Sequence, residues 1–431
     1  MPKTVRFYTL GCKVNQYDSE AMLEAFVAAG YAPAAEGEPA DVYVVNTCTV
    51  TGTGDQKSLK AARRFKRENP SGELILAGCM AQRMGEALRE TGARVILGTQ
   101  YRARVVELLE TAVAEKTQLV AVDSLQRAVF EPLSIHAHEG HTRAVVKIQE
   151  GCDNRCTYCI IPSVRGGIRS KPLEGVVAEA RALADAGFTE LVLTGVHLTS
   201  YGRDLEDRPT LADAVRAVHG VQEVRRIRLG SLEPVAVNED LLGAIAELPK
   251  LCPQFHLALQ SGSDSVLARM KRRYNTEQFA IAAQRVRAIQ PDAALTTDVI
   301  VGFPGETEAE FEQTVHFCER IGFMKLHVFP FSPREGTPAA EMPDPVPETV
   351  KEERVRRLIA VGETLARRYR EGMLGTVQPV LLEERHTDGR RSGYTPQYLS
   401  AVCDAGAPGE IVNVRLTAIT KEGMSGEVVE P

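Results

Sequence analysis

Long apolar runs are missing from this sequence. None approaches the ~18–20 residues of a membrane-spanning helix, so a chain that crosses a membrane in that way is excluded. An N-terminal apolar leader is missing as well. Met1-Pro2-Lys3-Thr4-Val5-Arg6 runs straight into a strand-like segment, and the expectation is a cytoplasmic protein, not a secreted one. There is no excess of positive charge: 51 basic residues against 57 acidic ones leave a formal charge of −6. A globally cationic nucleic-acid binder is thereby excluded, though local basic patches are not. Internal repeats and low-complexity tracts are also absent. What remains is an ordinary globular composition, 44% hydrophobic and 25% charged over 431 residues, enough chain for two to four domains. Nine cysteines without a leader point to metal or redox chemistry more than to disulfides.

The first ~135 residues alternate strand and helix. Strand-like segments at 5–10, 41–46, 73–77 and 94–97 are each followed by a helical pattern, at 18–29, 55–68, 81–90 and 102–114. That rhythm predicts an open parallel sheet. Residues 119–140, with Pro132, His136, His138, Gly140 and His141 close together, read as a connection. A second alternating block follows, with strands expected at 144–149, 190–194, 224–229, 254–259, 294–301 and 324–329, and predicts a partial (β/α)6 barrel. A Pro-rich loop and a charged helix at 348–371 come next. Short β-type runs at 376–382, 398–402, 410–417 and 424–429 predict a small all-β barrel. The fold class is α/β with three domains, at 1–137, 138–371 and 372–431.

Cys152, Cys156 and Cys159 form Cys-x3-Cys-x2-Cys on one loop, with Tyr158 just before the last thiol. Three thiolates so close can hold three corners of an iron–sulfur cube. A structural zinc site wants a fourth Cys or His nearby, and none lies within ten residues downstream. The missing ligand leaves one iron open to a substrate or cofactor. Zinc with a remote fourth ligand, or three incidental thiols, are the alternatives. Because the loop follows the strand at 144–149, the thiols are expected at the carboxyl mouth of the barrel.

Cys12, Cys48 and Cys79 lie far apart in sequence but share a topological slot. Each follows an expected strand and precedes an expected helix. In a parallel sheet those positions converge on one edge, where helix N-termini favour thiolates and an anionic cluster. A second three-cysteine cluster with an open iron is therefore expected, against the alternative of buried small hydrophobes. Cys318 reads as core; Cys252 and Cys403 have no such relation.

The Cys-x3-Cys-x2-Cys loop resembles that of the radical S-adenosylmethionine superfamily. The resemblance implies that the open iron chelates S-adenosylmethionine and that one electron cleaves it to methionine and a 5′-deoxyadenosyl radical. Cofactor contacts are implied at strand ends: Tyr158; Thr194 and Gly195; Ser231 and Glu233; Gln260 and Ser261; Val301 and Gly302 against adenine. Arg272 is a candidate for a forked carboxylate contact. Taken singly, these loop residues equally suit ordinary turn chemistry.

The whole arrangement resembles the methylthiotransferase family over essentially the entire chain. Gly11-Cys12-Lys13-Val14-Asn15 is most similar to the members acting on N6-threonylcarbamoyladenosine at tRNA position 37, as is Gly393-Tyr394-Thr395-Pro396-Gln397-Tyr398. Relatives acting on isopentenyladenosine usually read Gly-Cys-Gln-Met-Asn, and those acting on a ribosomal protein aspartate Gly-Cys-Pro-Lys-Asn. The resemblance implies two [4Fe–4S] clusters, S-adenosylmethionine used twice, cluster-derived sulfur, an external electron donor, the tRNA anticodon loop as partner, a TRAM-like RNA-binding C-terminal module and a monomeric protein. A sister methylthiotransferase and, from another class, an iron–sulfur electron carrier or RNA-binding module are the rivals. From Glu371 to Pro431 the chain carries Arg385, Arg390, Arg391, Arg415 and Lys421 against nine acidic residues, so phosphate attraction is sought elsewhere. Lys57, Lys60, Arg63, Arg64, Lys66 and Arg67 load one expected helix; Lys351, Arg354, Arg356, Arg357, Arg367, Arg368 and Arg370 load another.

Overall fold

The computed structural model describes every residue except 1, 36, 127, 137–141, 430 and 431. The expected boundary at 137/138, and His138, Gly140 and His141 of the expected connection, lie outside the described residues.

The N-terminal part is a six-stranded sheet in the order β2-β1-β3-β4-β5-β6. Its strands are β1 (Thr4–Thr9), β2 (Ala32–Pro33), β3 (Val42–Thr47), β4 (Glu73–Gly78), β5 (Val95–Leu97) and β6 (Leu119–Ala121). Every pairing is parallel. A parallel sheet is covered on both faces, which is why β3 is buried along its whole length. Val42 and Val44 pack on one side with Phe26 and Leu109; Tyr43 and Val45 pack on the other with Phe65 and Leu88. The covering helices include α1 (Lys13–Ala28), α2 (Gly52–Glu68), α3 (Cys79–Met84) and α4 (Val105–Ala114). In α2, Ser58, Ala61, Ala62 and Phe65 recur at helical spacing and are buried, while Thr51 caps the first turn by accepting from the Gly54 N–H at 3.1 Å. Strand β6 corrects the reading of 119–140 as connection throughout. Three residues are too few to show a period.

The central part contains β7 (Arg143–Glu150), β8 (Arg169–Ser170), β9 (Glu190–Gly195), β10 (Arg226–Leu229), β11 (Gln254–His256), β12 (Ala294–Val301) and β13 (Lys325–Pro330). β7, β9 and β10 pair in parallel, as do β11, β12 and β13. Parallel bridges Ile227–Leu251 and Leu232–Leu257 join the two sets. Six parallel strands thus form a barrel left open between β7 and β13, as expected. The two-residue β8 folds back antiparallel on the end of β7. The short helix α5 (Ile161–Arg165) follows the cysteine loop.

The C-terminal part is a closed barrel of β14 (Val377–Arg385), β15 (Arg391–Tyr394), β16 (Ser400–Cys403), β17 (Ile411–Ile419) and β18 (Met424–Val428). Its core gathers Val380, Leu382, Ala401, Val414, Leu416 and Met424. Strand β15 is an addition to the expected set. Buried arginines dock this barrel on the central one. Arg226 donates to the Tyr394 carbonyl at 3.0 Å, and Arg228 donates to the Pro396 carbonyl at 2.8 Å. Glu190, wholly buried, balances both: Arg228 Nε lies 3.0 Å and Arg226 Nη1 3.4 Å from its carboxylate.

Candidate functional site

Cys12 precedes α1, Cys48 follows β3 directly, and Cys79 opens α3 directly after β4. Since β1, β3 and β4 are neighbours, the three thiols end on one sheet edge. Two polar side chains lace that edge together. The Asn15 amide donates to the Leu10 carbonyl at 2.7 Å and to the Thr47 carbonyl at 2.9 Å, joining the loop of Cys12 to the strand of Cys48. The Thr47 hydroxyl donates to the Ala77 carbonyl at 2.6 Å and accepts from the Met80 N–H at 3.1 Å, joining Cys48 to Cys79. Glycine is required on the way. A Cβ on Gly78, at φ +91°, would sit 2.4 Å from Asn46 Oδ1, and one on Gly11, at φ +105°, 3.2 Å from Cys48 Sγ. Burial raises the Cys79 thiol to about 11; Arg165 opposes the rise, and Cys12 and Cys48 add to it. Burial likewise raises Cys48, opposed by a backbone N–H and reinforced by Cys12.

The barrel trio sits at the carboxyl end of β7. Gln149 donates to the Gly151 carbonyl at 2.8 Å and accepts from the His197 N–H at 2.6 Å, fixing the start of the loop. Thr157 closes its far side, its N–H on the Met270 carbonyl at 3.1 Å. Burial raises Cys152 to about 11 and Cys159 to about 12, and in each the neighbouring Cys156 raises it further. Arg272 Nη1 lies 3.1 Å from Cys156 Sγ, while Nη2 is 2.7 Å from Glu233. Glu233 also accepts from Asn154 at 3.1 Å and faces His197 Nε2 at 3.1 Å.

The two trios adjoin. Cys79 packs with Ile160 and Val164, and Ile160 follows Cys159 in the chain. Arg165 Nε points at Cys79 Sγ, 3.2 Å away. The same guanidinium reaches Asp18 at 3.0 Å and Glu150 at 2.6 Å. Arg102 and Lys147 complete a buried network of three cations and two carboxylates across the N-terminal and central parts.

Do these donors fit iron–sulfur cubes? Among the described residues, no three His, Cys, Asp or Glu side chains gather as a single bare ion would require. Each trio does bring three thiols within mutual electrostatic reach, with an arginine hydrogen-bonded to one sulfur. Raised thiol pKa values mean that protons stay on until a metal displaces them. Soft sulfur donors and N–H groups on the sulfurs suit an iron–sulfur group.

Three family models match in chain order: an uncharacterized protein family, UPF0004, at 4–98; the radical SAM superfamily at 146–318; and the TRAM domain at 371–429. The chain is 41% identical over 421 residues to the threonylcarbamoyladenosine tRNA methylthiotransferase MtaB of Bacillus subtilis, covering 96% of this chain and 93% of that protein. The chain belongs to the radical S-adenosylmethionine methylthiotransferase family. It is also 36% identical, over 96% of itself and 80% of the relative, to a tRNA-2-methylthio-N(6)-dimethylallyladenosine synthase of Corynebacterium urealyticum. Its fold is like that of the radical S-adenosylmethionine methyltransferase TsrM of Kitasatospora setae, with a TM-score of 0.59 at 13% identity over 79% of this chain and 77% of that one.

In this methylthiotransferase the remaining candidates fall into two groups. Glu233, Arg272 and Tyr158 gather round the barrel cysteines, with the Tyr158 hydroxyl 3.5 Å from Arg272. Thr194 and Gly195 end β9, where a Cβ on Gly195 would come within 2.8 Å of Gln149. Ser231 lines a cavity inside the barrel. Gln260 bridges strand ends at φ +68°, its carbonyl accepting from the Ile300 N–H at 2.9 Å. Ser261, by contrast, is turned to Thr314 on the helix Glu308–Ile321, at 3.3 Å. Val301 is buried in the main core, and the Gly302 N–H donates to Glu306 at 2.5 Å. Asn15, Gln149, Asn154, Arg165 and His197 are not among the site residues expected from the sequence, although Asn15 stands in the Gly11–Asn15 motif. Their partners lie up to 150 positions away, which no local pattern reveals. Cys252, Cys318 and Cys403 are buried. Tyr394 and Tyr398 stack on each other at 4.7 Å, with Arg143 over both rings.

Proposed function

We propose that the chain transfers a methylthio group to C2 of N6-threonylcarbamoyladenosine at position 37 of tRNA. The relation to the Bacillus subtilis enzyme supports the substrate. What supports the mechanism most is the contact of Cys79 with Ile160, which sets one cysteine trio beside the other. In this reading residues 1–137 hold an auxiliary [4Fe–4S] cluster on Cys12, Cys48 and Cys79. Residues 138–371 hold a second on Cys152, Cys156 and Cys159, together with S-adenosylmethionine. Residues 372–431 meet RNA. The protein works in the cytoplasm, as a monomer served by an external reductant.

The hydrogen at adenine C2 is an unactivated C–H that no side chain removes as a proton. When bound, the barrel cluster and S-adenosylmethionine supply the carbon radical, and the auxiliary cluster the sulfur. The protein's part is placement. Gln149 and Thr157 fix the barrel cysteine loop, and Arg272 orients Cys156 against Glu233. Asn15 and Thr47 hold Cys12, Cys48 and Cys79 on one edge. Arg165 ties that edge to β7. The 36% identity to a dimethylallyladenosine enzyme favours one second reading, the isopentenylated tRNA. The test incubates anaerobically reconstituted protein with dithionite, S-adenosylmethionine and tRNA carrying either modification, followed by nucleoside mass analysis. A methylthio product from the threonylcarbamoyl tRNA supports the proposal. Product only from the isopentenylated tRNA, or cleaved S-adenosylmethionine with no methylthio product from either, overturns it.

A further inference from the structure

A cavity of about 660 Å³ lies where the barrel interior meets the N-terminal part and the C-terminal barrel, a volume suited to a small-molecule-sized group. Its wall is polar. Ser231, His256, Thr296, His327 and Ser400 line it, and Lys13 enters from the N-terminal part. His256 Nδ1 is 3.0 Å from the Thr296 hydroxyl; its Nε2 is buried with no hydrogen-bond partner, 3.3 Å from Asp298 but off line. The Lys13 ammonium makes no hydrogen bond or ion pair among the described residues. The charged side chains acting on it include Arg143, Arg228 and Glu190, and Glu190 is already shared by three arginines. Arg143 also pairs with Glu383 at 2.7 Å, but with Lys325, Arg370 and Lys421 on the cavity wall against Glu363 and Glu422, this corner still holds more cations than carboxylates. Lys13 is also the chain neighbour of Cys12, where the proposed reaction delivers sulfur.

The reacting carbon and the N6 substituent belong to one purine. A base that presents C2 toward Cys12 brings its N6 group within a side chain's length of Lys13. We infer that the cavity holds the N6 substituent of the target adenine and that Lys13 pairs with its carboxylate, so that Lys13 selects an acidic substituent over an uncharged one. A threonylcarbamoyl group carries a carboxylate and a hydroxyl, which satisfy such a wall. A dimethylallyl group carries neither and would leave the Lys13 ammonium desolvated without a partner and His256 Nε2 without a hydrogen bond.

The inference rests on the proposed reaction, and the experiment separates the two. The intact reconstituted protein is given an anticodon stem–loop with N6-threonylcarbamoyladenosine, and the same stem–loop with that carboxylate converted to its methyl amide. Product formation and equilibrium binding are both measured. The natural stem–loop is expected to give about 10–100-fold higher kcat/KM than the amide, with the difference mainly in KM and in binding. Lys13→Gln should reduce that preference to near unity, and Lys13→Arg should restore part of it. Iron content is measured on each variant. If Lys13→Gln fails to load iron, the acid-to-amide comparison on the unaltered protein decides. Equal use of acid and amide by the unaltered protein overturns the inference and leaves the reaction standing. So does a preference that survives Lys13→Gln. Failure of the unaltered protein to modify the natural stem–loop overturns the reaction itself.

Discussion

Asn15 shows how one amide can place two thiols. Its two donated hydrogen bonds join the loops of Cys12 and Cys48, and it is buried. Asn15→Ala should leave both carbonyls unpaired and let the edge spread. The expected result is iron falling from about eight toward about four per chain while the barrel site still loads, read by iron analysis after reconstitution. Arg165 acts on a larger scale of energy. Burial alone would raise the carboxyls of Asp18 and Glu150, but Arg102, Lys147 and Arg165 outweigh it and hold both below the ordinary range, Glu150 well below. Arg165→Ala removes a cation from a buried network and should cost about 3–5 kcal/mol, lowering the urea midpoint. The sign of the pH effect follows from the depressed values. The network's contribution is complete above the ordinary carboxylate range near about pH 4 and is lost as pH falls through the folded values. The Arg165→Ala protein should therefore unfold at a higher pH than the parent in an acid titration. An unchanged acid midpoint would count against this account. Cys152, Cys156 and Cys159 were legible in the sequence because their spacing is local. Arg165 was not, because its meaning lies in Cys79, Asp18 and Glu150, all brought in by folding.

At the level of elements, the long strands and the helices after them could be read from periodicity. β3 and β12 are six and eight residues long and carry enough pattern. β2 and β8, two residues each, carry none. The slot shared by Cys12, Cys48 and Cys79 was legible for the same reason: it depends on order of elements, not on contacts. Charge on helices was harder to read. On the helix Glu348–Met373, Lys351 and Arg354 are buried, and Arg354 pairs with Glu306 at 2.8 Å. Arg357 and Arg367 pair with Glu308 and Glu371, and Arg370 donates to the Thr420 carbonyl at 3.2 Å. Much of that helix's positive charge is committed to holding the protein together. α2 differs. Lys66 is used on the Gly72 carbonyl and Arg64 on Phe65, but Lys57, Lys60, Arg63 and Arg67 are exposed. Changing those four to alanine should weaken tRNA binding and flatten the plot of log K against log salt by up to about 0.9 per lost phosphate contact, whereas Arg357→Ala should do neither. An unchanged slope for the α2 variant would place the RNA elsewhere.

Across the whole molecule, the three parts are held by buried charge as well as by apolar packing, with Tyr17 and Ala21 in the central core and Ala294 and Met324 in that of the C-terminal barrel. Asp18, Glu150 and their three cations join the first two; Glu190 with Arg226 and Arg228 joins the second and third. Such pairs cost much to bury and more to break, which favours one arrangement of the parts over others. That arrangement sets Cys79 against the barrel loop and Lys13 in the central cavity. The most direct measurement is made on the protein with Cys12, Cys48 and Cys79 all changed to alanine, reconstituted without oxygen and given dithionite and S-adenosylmethionine. Iron should fall from about eight to about four per chain, 5′-deoxyadenosine should still form, and no methylthiolated nucleoside should appear. Iron unchanged at about eight, or S-adenosylmethionine cleavage lost while about four irons remain, would contradict the division of the six cysteines into two clusters with separate tasks.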